Sequence, residues 1–304
     1  MATSQRILIT GGTGFLGRLL TAKLLDQGFE VTVLSRSSDK VASTFAGRVV
    51  AATAIDRLPD ASHFRAVVNL AGAGIFDSRW TEHRKRMLRD SRILLTDHLV
   101  SWINASEQPT EVLINGSAIG VYGDQGASVL TEASSSVSDF AQQLCADWES
   151  SALQAETSGA RVCLVRTGLV LGEGGGILQR MLLPFRLGLG GTIGDGRQWM
   201  SWIHWQDWVN IVETMIVTPA MRGAYNAAAP NPVDNRLFCE TLAALLQRPM
   251  LLPLPASLLK VLLGEMAELI LASQRVNPQR LLSEGFEFQY PELGPALRNV
   301  LGLS

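Results

Sequence analysis

The sequence predicts a doubly wound α/β fold, a parallel sheet with helices on both faces, followed by a small, mainly helical C-terminal region. Short apolar runs alternate with helical periodicity over the first two-thirds of the 304 residues. A glycine-rich turn stands between the first run and the first helix, and a Pro-punctuated amphipathic tail begins at Arg248. Such βα alternation makes successive strands parallel, because each helix returns the chain to the same end of the sheet.

The strand candidates are Ile7–Thr10, Val31–Ser35, Val49–Ala52, Ala66–Ala71, Val112–Ser117 and Val162–Thr167. Helical patterns fill Phe15–Asp26, Thr81–Ala105 and Ser138–Thr157 between them. After Gly172 the pattern changes. A glycine-rich stretch, Gly172–Gly176, precedes an apolar helix Ile177–Leu187, and a second runs from Gly188 to Gly196. A strand Trp199–His204, a helix Trp208–Val217 and a strand Tyr225–Ala228 follow. We therefore expect a principal domain over residues 1–230 and a small C-terminal domain over 248–304.

Hydrophobic residues make up 47% and charged residues 18%, enough for a buried core. A net charge of −2 lacks the basic footprint of a nucleic-acid binder. Lysine occurs only at 23, 40, 85 and 260, so arginine carries nearly all the positive charge; arginine suits bidentate anion recognition. Cys145, Cys163 and Cys239 form neither a disulfide framework nor a metal-ligand pattern, and no metal is expected. Met1 to Arg6 runs straight into a strand without a signal-peptide core. The apolar stretch Leu251–Leu271 contains Pro253, Pro255, Lys260, Glu265 and Glu268, which reads as an amphipathic helix rather than a membrane span. The expectation is a soluble, cytoplasmic protein that handles a small molecule, with no nucleic-acid or membrane partner.

The turn reads Thr10-Gly11-Gly12-Thr13-Gly14-Phe15-Leu16-Gly17. A sharp exit from a strand needs backbone angles that glycine adopts cheaply. The next glycine lets the backbone approach a pyrophosphate, the helix start directs N–H groups and its positive dipole end at it, and the last glycine lets helix and strand pack closely. The strand before and helix after it are the context a dinucleotide-binding Rossmann turn requires. Enzymes that take NAD carry an acidic residue about 20 positions on, against the ribose 2′-hydroxyl. Here the second strand ends Ser35-Arg36-Ser37-Ser38, with no carboxylate before Asp39. Arg36 suits a 2′-phosphate, Ser37 or Ser38 can donate to it, and Lys40 lies close by. The cofactor expected is NADP(H).

Asn69-Leu-Ala71-Gly72 ends the fourth strand and Ser117 the fifth. With the glycine turn, they resemble an extended short-chain dehydrogenase/reductase. Arg79-Trp80-Thr81, Asp90-Ser-Arg92, Ser117 through Tyr122-Gly123, Arg166-Thr-Gly-Leu-Val-Leu-Gly172 and Ser201-Trp-Ile-His204 narrow the resemblance to the atypical subgroup called "epimerase family protein". Val276-Asn-Pro278 through Gly285-Phe-Glu-Phe288 is similar to that subgroup's small C-terminal domain.

The resemblance implies a serine, then a Tyr-x-x-x-Lys pair on the next helix, where the four-residue spacing shares one helix face. Ser117 fits. The pair does not, since Gly126, Ala229 and Gly294 stand four residues after Tyr122, Tyr225 and Tyr290. Aligned by helix start, Asp139 or Phe140 takes the tyrosine position and Gln143 or Leu144 that of lysine. Anchored on Glu149, the two positions are Ala141 and Cys145. Gln143 is the candidate to hydrogen-bond the nicotinamide ribose, and Tyr122 the one tyrosine near enough to donate a proton, if it does more than line the pocket. The substrate is expected beyond the carboxyl ends of the strands, near Arg79, Trp80, Arg197, Trp202 and His204, with Arg180 and Arg186 as further anion clamps. Trp199, Trp202, Trp205 and Trp208 suit either ring stacking or core packing, and Asp207 reads as the N-cap of a helix from Trp208. Two functions remain open: an oxidoreductase or epimerase using Ser117, and a non-catalytic NADP(H) sensor or partner-binding protein.

Overall fold

Alternating β-branched and aliphatic residues with no polar face imply strands buried on both sides. In the computed structural model, which describes residues 5–303, such runs form the central sheet. Residues 1–4, the start of the segment read as lacking a signal peptide, lie outside the described residues.

The elements follow in order as β1 (Arg6–Thr10), α1 (Phe15–Asp26), β2 (Glu30–Leu34), α2 (Ser38–Phe45), β3 (Val50–Ala52), β4 (Ala66–Asn69), α3 (Glu82–Asn104) and β5 (Val112–Ala118). Next come β6 (Val129–Leu130), α4 (Phe140–Leu153), β7 (Arg161–Thr167), β8 (Leu169–Leu171), α5 (Gly176–Arg186), β9 (Trp199–Met200), β10 (Trp202–His204), α6 (Trp205–Val217) and β11 (Gly223–Ala227). The C-terminal part holds β12 (Val233–Asp234), α7 (Asn235–Leu245), α8 (Ala256–Leu263), α9 (Met266–Leu271), β13 (Arg275–Val276), α10 (Gln279–Ser283) and α11 (Leu293–Val300).

Seven parallel strands are ordered β3-β2-β1-β4-β5-β7-β11. Strand direction of travel reverses between β1 and β4, the point at which such sheets bind ligands beyond their carboxyl ends. Side chains alternate across the sheet. Ile7 and Ile9 pack with Leu20 and Leu24 of α1 and Trp208 and Val212 of α6. Leu8 faces the other layer, with Leu99 and Ile103 of α3 and Ala152 of α4. The C-terminal segment adds β13 beside β6 and packs α11 against α7, over a cluster that includes Leu171, Phe238 and Leu297.

Two expectations change. The strand expected over 199–204 divides at Ser201: β9 pairs antiparallel with β12, and β10 pairs parallel with β8. Ser201 is fully buried, donating to the Gln274 carbonyl and accepting from the Val276 N–H, so it ties the break to the C-terminal segment. The next helix starts at Trp205, and its N-cap is His204, whose Nδ1 accepts from the Gln206 N–H at 3.2 Å. Asp207 is a buried residue of the first turn that accepts from the backbone N–H groups of Gln289 and Tyr290. No helix among the described residues is long and apolar enough to cross a membrane.

Candidate functional site

At the end of β1 the chain turns with Gly11 at φ +68°, a left-handed conformation that favours glycine. A Cβ on Gly11 would stand 2.7 Å from the Leu70 backbone, and one on Gly17 would stand 2.3 Å from the Gly11 oxygen. The turn therefore lies directly on the end of β4, and α1 directly on the turn. The first intrahelical bond runs from the Arg18 N–H to the Gly14 oxygen, so the N–H groups of Phe15, Leu16 and Gly17 precede it. Gly14, the exposed N-cap, offers no side-chain acceptor, and the first turn has no acidic residue. Thr13 is half-buried beside it. These features suit an anion at the helix start. The Phe15 ring packs against Gly172 and Gly175, where a Cβ would come within 2.6 and 2.2 Å of it, which accounts for the glycines after β8.

Polar residues at the strand ends form a buried floor beside the turn. Thr10 Oγ1 donates to Asn69 Oδ1 at 2.6 Å and accepts from the N–H groups of Leu70 and Ala71. Asn69 Nδ2 donates to Thr96 and to Asn115 Oδ1, and the Trp148 indole donates to Thr96. Every member finds a partner, which fixes the ends of β1, β4 and β5 relative to one another.

At the end of β2, Ser35 Oγ accepts from the Ser37 N–H, and Ser37 Oγ caps α2 by accepting from the Lys40 N–H at 3.2 Å. Arg36 is exposed and makes no hydrogen bond or ion pair among the described residues.

On the other side, Ser117 Oγ donates to Glu149 Oε1 at 2.6 Å. Arg166 grips the same carboxylate with Nε and Nη2, both at 2.9 Å, and reaches the Tyr122 hydroxyl with Nη1 at 3.0 Å. Tyr122 donates in turn to Asn226 Oδ1 at 2.6 Å and is 1% exposed. Burial pushes its hydroxyl above the ordinary tyrosine range, with Arg166 acting against that. The structure thus places the tyrosine expected as a donor inside a buried network, its hydroxyl bonded to Asn226 and Arg166.

The face of α4 also decides between the two alignments. A Cβ on Gly120 would meet Ala141 and Cys145 at 3.5 and 3.8 Å, so these two face the loop after Ser117. They are the two positions that the alignment on Glu149 sets at the tyrosine and lysine of Tyr-x-x-x-Lys. Gln143, two positions on from Ala141, is exposed and donates to Ser138. Burial pushes the Cys145 thiol up to about 12, unsuited to nucleophilic work.

The expected substrate residues are not brought together. Trp202 and His204 are fully buried. His204 stacks on Tyr290 at 3.9 Å, contacts Asn299 through Nε2 at 3.0 Å, and burial pulls its pKa down to about 4. Trp80 is 8% exposed, bonded to the Ile75 carbonyl and packed edge-on against Phe140. Arg79 donates to the carbonyls of Leu262 and Val261 at the end of α8, and Arg197 is an exposed side chain beside Asp195. Trp208, also fully buried, donates to Thr167, so Trp202 and Trp208 resolve towards core packing, while Trp199 and Trp205 are half-buried.

Sequence reading missed Arg166, Asn226 and the polar floor as a set. Their signal was a polar side chain near the carboxyl end of five otherwise apolar strands: Thr10, Asn69, Asn115 and Ser117, Arg166, and Asn226.

The chain belongs to the NAD dependent epimerase/dehydratase family, whose model matches residues 7–228. A second model, described as a domain of unknown function (DUF1731), matches residues 254–300. The chain is 39% identical over 306 residues to the "Epimerase family protein SDR39U1 homolog, chloroplastic" of Arabidopsis thaliana, covering 98% of this chain and 87% of that protein. It is 38% identical to the "Epimerase family protein YfhF" of Bacillus subtilis, covering 98% of each. The crystal structure of human epimerase family protein SDR39U1 (isoform 2) with NADPH superposes with a TM-score of 0.89 at 34% identity, covering 98% of this chain and 99% of that one.

Proposed function

We propose that this chain binds NADP(H) across the carboxyl ends of β2, β1, β4 and β5 and serves as an oxidoreductase or epimerase for a small substrate. The observation that carries the reading is the glycine turn: Gly11, Gly14 and Gly17 leave space where side chains would collide, and the start of α1 offers N–H groups with no carboxylate nearby. Thr13, Phe15 and Leu16 would hold the diphosphate through their backbone, Ala71 and Gly72 would floor it, and Ser35 and Arg36 would meet the adenosine 2′-phosphate. The exposed, unpaired Arg36 and the NADPH in the similar human protein support that choice of cofactor. When bound, the nicotinamide supplies a hydride donor or acceptor.

The protein's own part is narrower. Ser117 holds its proton on Glu149, so its oxygen is left to accept a hydrogen bond from a substrate hydroxyl. Arg166 fixes Glu149 and thereby the direction of the serine hydroxyl. A substrate panel of carbonyl compounds and alcohols, followed at the NADPH absorbance, tests this: Ser117→Ala should lower turnover by about 100-fold, while Tyr122→Phe should stay within about threefold of the parent. Loss through Tyr122 and none through Ser117 would overturn the assignment.

The second reading is a non-catalytic NADP(H) sensor or partner-binding protein. It is favoured by one feature: the α4 positions facing the loop after Ser117 hold Ala141 and Cys145, neither of which exchanges a proton near neutral pH. Catalytic, stereospecific hydride transfer to any panel member would remove it.

A further inference from the structure

The loop that leaves β4 is apolar at Ile75 and Phe76 and again at Trp80, before α3. Its side chains pack into one cluster with Phe140 and Ala141 of α4, with Leu263 at the end of α8 and with Met266 at the start of α9. Trp80 and Met266 are buried, whereas Ile75, Phe76, Phe140 and Leu263 are only half-buried, so the cluster keeps an open edge. Ala141 shows where that edge leads. It packs against this cluster and also faces Gly120, in the loop after Ser117. Its neighbour Phe140 meets Trp80 edge-on at 5.0 Å. The apolar surface therefore adjoins the Ser117 site, beyond the carboxyl ends of β4 and β5, where substrates of such sheets bind.

The charges around it are committed. Arg79 donates to the carbonyls of Val261 and Leu262. Arg84 donates to the Gly74 carbonyl and pairs with Asp77. Lys85 pairs with Glu82 and Glu265. Neither α4 nor α9 has a lysine or arginine. Arg180 of α5 remains, 5.8 Å from the Phe76 ring. A diphosphate or a polyanion would need several uncommitted donors here. An apolar wall with its cations already paired suits an uncharged ligand instead.

We propose that the substrate is a hydrophobic alcohol or carbonyl compound, its oxygen at Ser117 and its apolar body against Phe76, Phe140 and Leu263. This rests on the oxidoreductase reading above and names the substrate class for that same site.

Calorimetric titration of the NADPH-loaded protein with n-butanol, n-hexanol, n-octanol and UDP-glucose tests the proposal; with the cofactor already reduced, an alcohol cannot pass hydride to it. Affinity should rise by about threefold or more per added methylene, and UDP-glucose should bind at least about tenfold more weakly than n-octanol. Phe140→Ser should weaken n-octanol by about fivefold or more and leave n-butanol within about twofold, while Phe140→Leu keeps the chain-length dependence. Should Phe140→Ser not fold, Leu263→Ser, on the C-terminal side of the cluster, should show the same selective loss. Affinity that does not grow with chain length, tighter binding of UDP-glucose than of n-octanol, or an unchanged n-octanol affinity in the serine variant overturns the proposal. Failure of the parent protein to bind NADPH would instead overturn the cofactor reading, and the alcohol series titrated without cofactor would still judge the substrate class.

Discussion

Removing Arg166 should cost more than removing Arg166 and Glu149 together. The side chains of the pair are 14% and 9% exposed, and two 2.9 Å bonds join them. In Arg166→Met, Glu149 keeps the Ser117 hydroxyl as its remaining side-chain donor, with its charge still in the interior. Breaking a buried pair from one side costs about 3–5 kcal/mol, because the survivor is left uncompensated. Glu149→Gln retains an acceptor for Ser117 and should cost about 2 kcal/mol, chiefly through the unpaired guanidinium. The double variant removes both charges, so its loss should fall about 3 kcal/mol or more short of the sum of the two single losses. Urea unfolding followed by tryptophan fluorescence at constant m-value reads all three. Additive losses, or an Arg166→Met variant within about 1 kcal/mol of the parent, would show that the pair does not act as a buried unit.

Two further outcomes follow from the same geometry. Gly17→Ala places a methyl group 2.3 Å from the Gly11 oxygen, so α1 must shift off the turn. NADPH affinity should drop at least about tenfold and stability by about 1–3 kcal/mol, and a variant that titrates like the parent would contradict the close-packed turn. His204 is held neutral by burial, with its pKa pulled from 6.5 to about 4. A depressed histidine binds fewer protons folded than unfolded, so its stabilising contribution is complete above about pH 6.5 and declines as pH falls towards about 4, by on the order of 2–3 kcal/mol. His204→Gln should flatten unfolding midpoints across that window, and parallel pH profiles for parent and variant would refute the assignment.

The fold was legible where the signal is local. The limits read for Phe15–Asp26 coincide with α1, because apolar periodicity and the glycine turn set both the face and the start of that helix. The inner sheet strands follow from apolar runs whose two faces are both covered, while the edge strand β3 is largely exposed. Less legible was the region after Gly172. Trp199–His204 has a single strand's composition, but Ser201 is held by backbone groups more than 70 residues away, a contact that spacing does not reveal. The same holds for His204, expected among the substrate residues but covered by Tyr290 and Asn299. At the site, the cofactor turn was readable because its chemistry is carried by backbone and by glycine. The inner network was not, since Glu149, Arg166, Tyr122 and Asn226 meet only after four separate elements are packed.

Selection of the 2′-phosphate through Arg36 is the defining property of the proposed dinucleotide site. Titrations of the intrinsic tryptophan fluorescence with NADPH and with NADH, for the parent and for Arg36→Ala, test it most directly. The parent should prefer NADPH by about 100-fold, and Arg36→Ala should reduce that preference to about tenfold or less by weakening NADPH while leaving NADH nearly unchanged. Equal losses for both nucleotides, or a parent protein that prefers NADH, would contradict it.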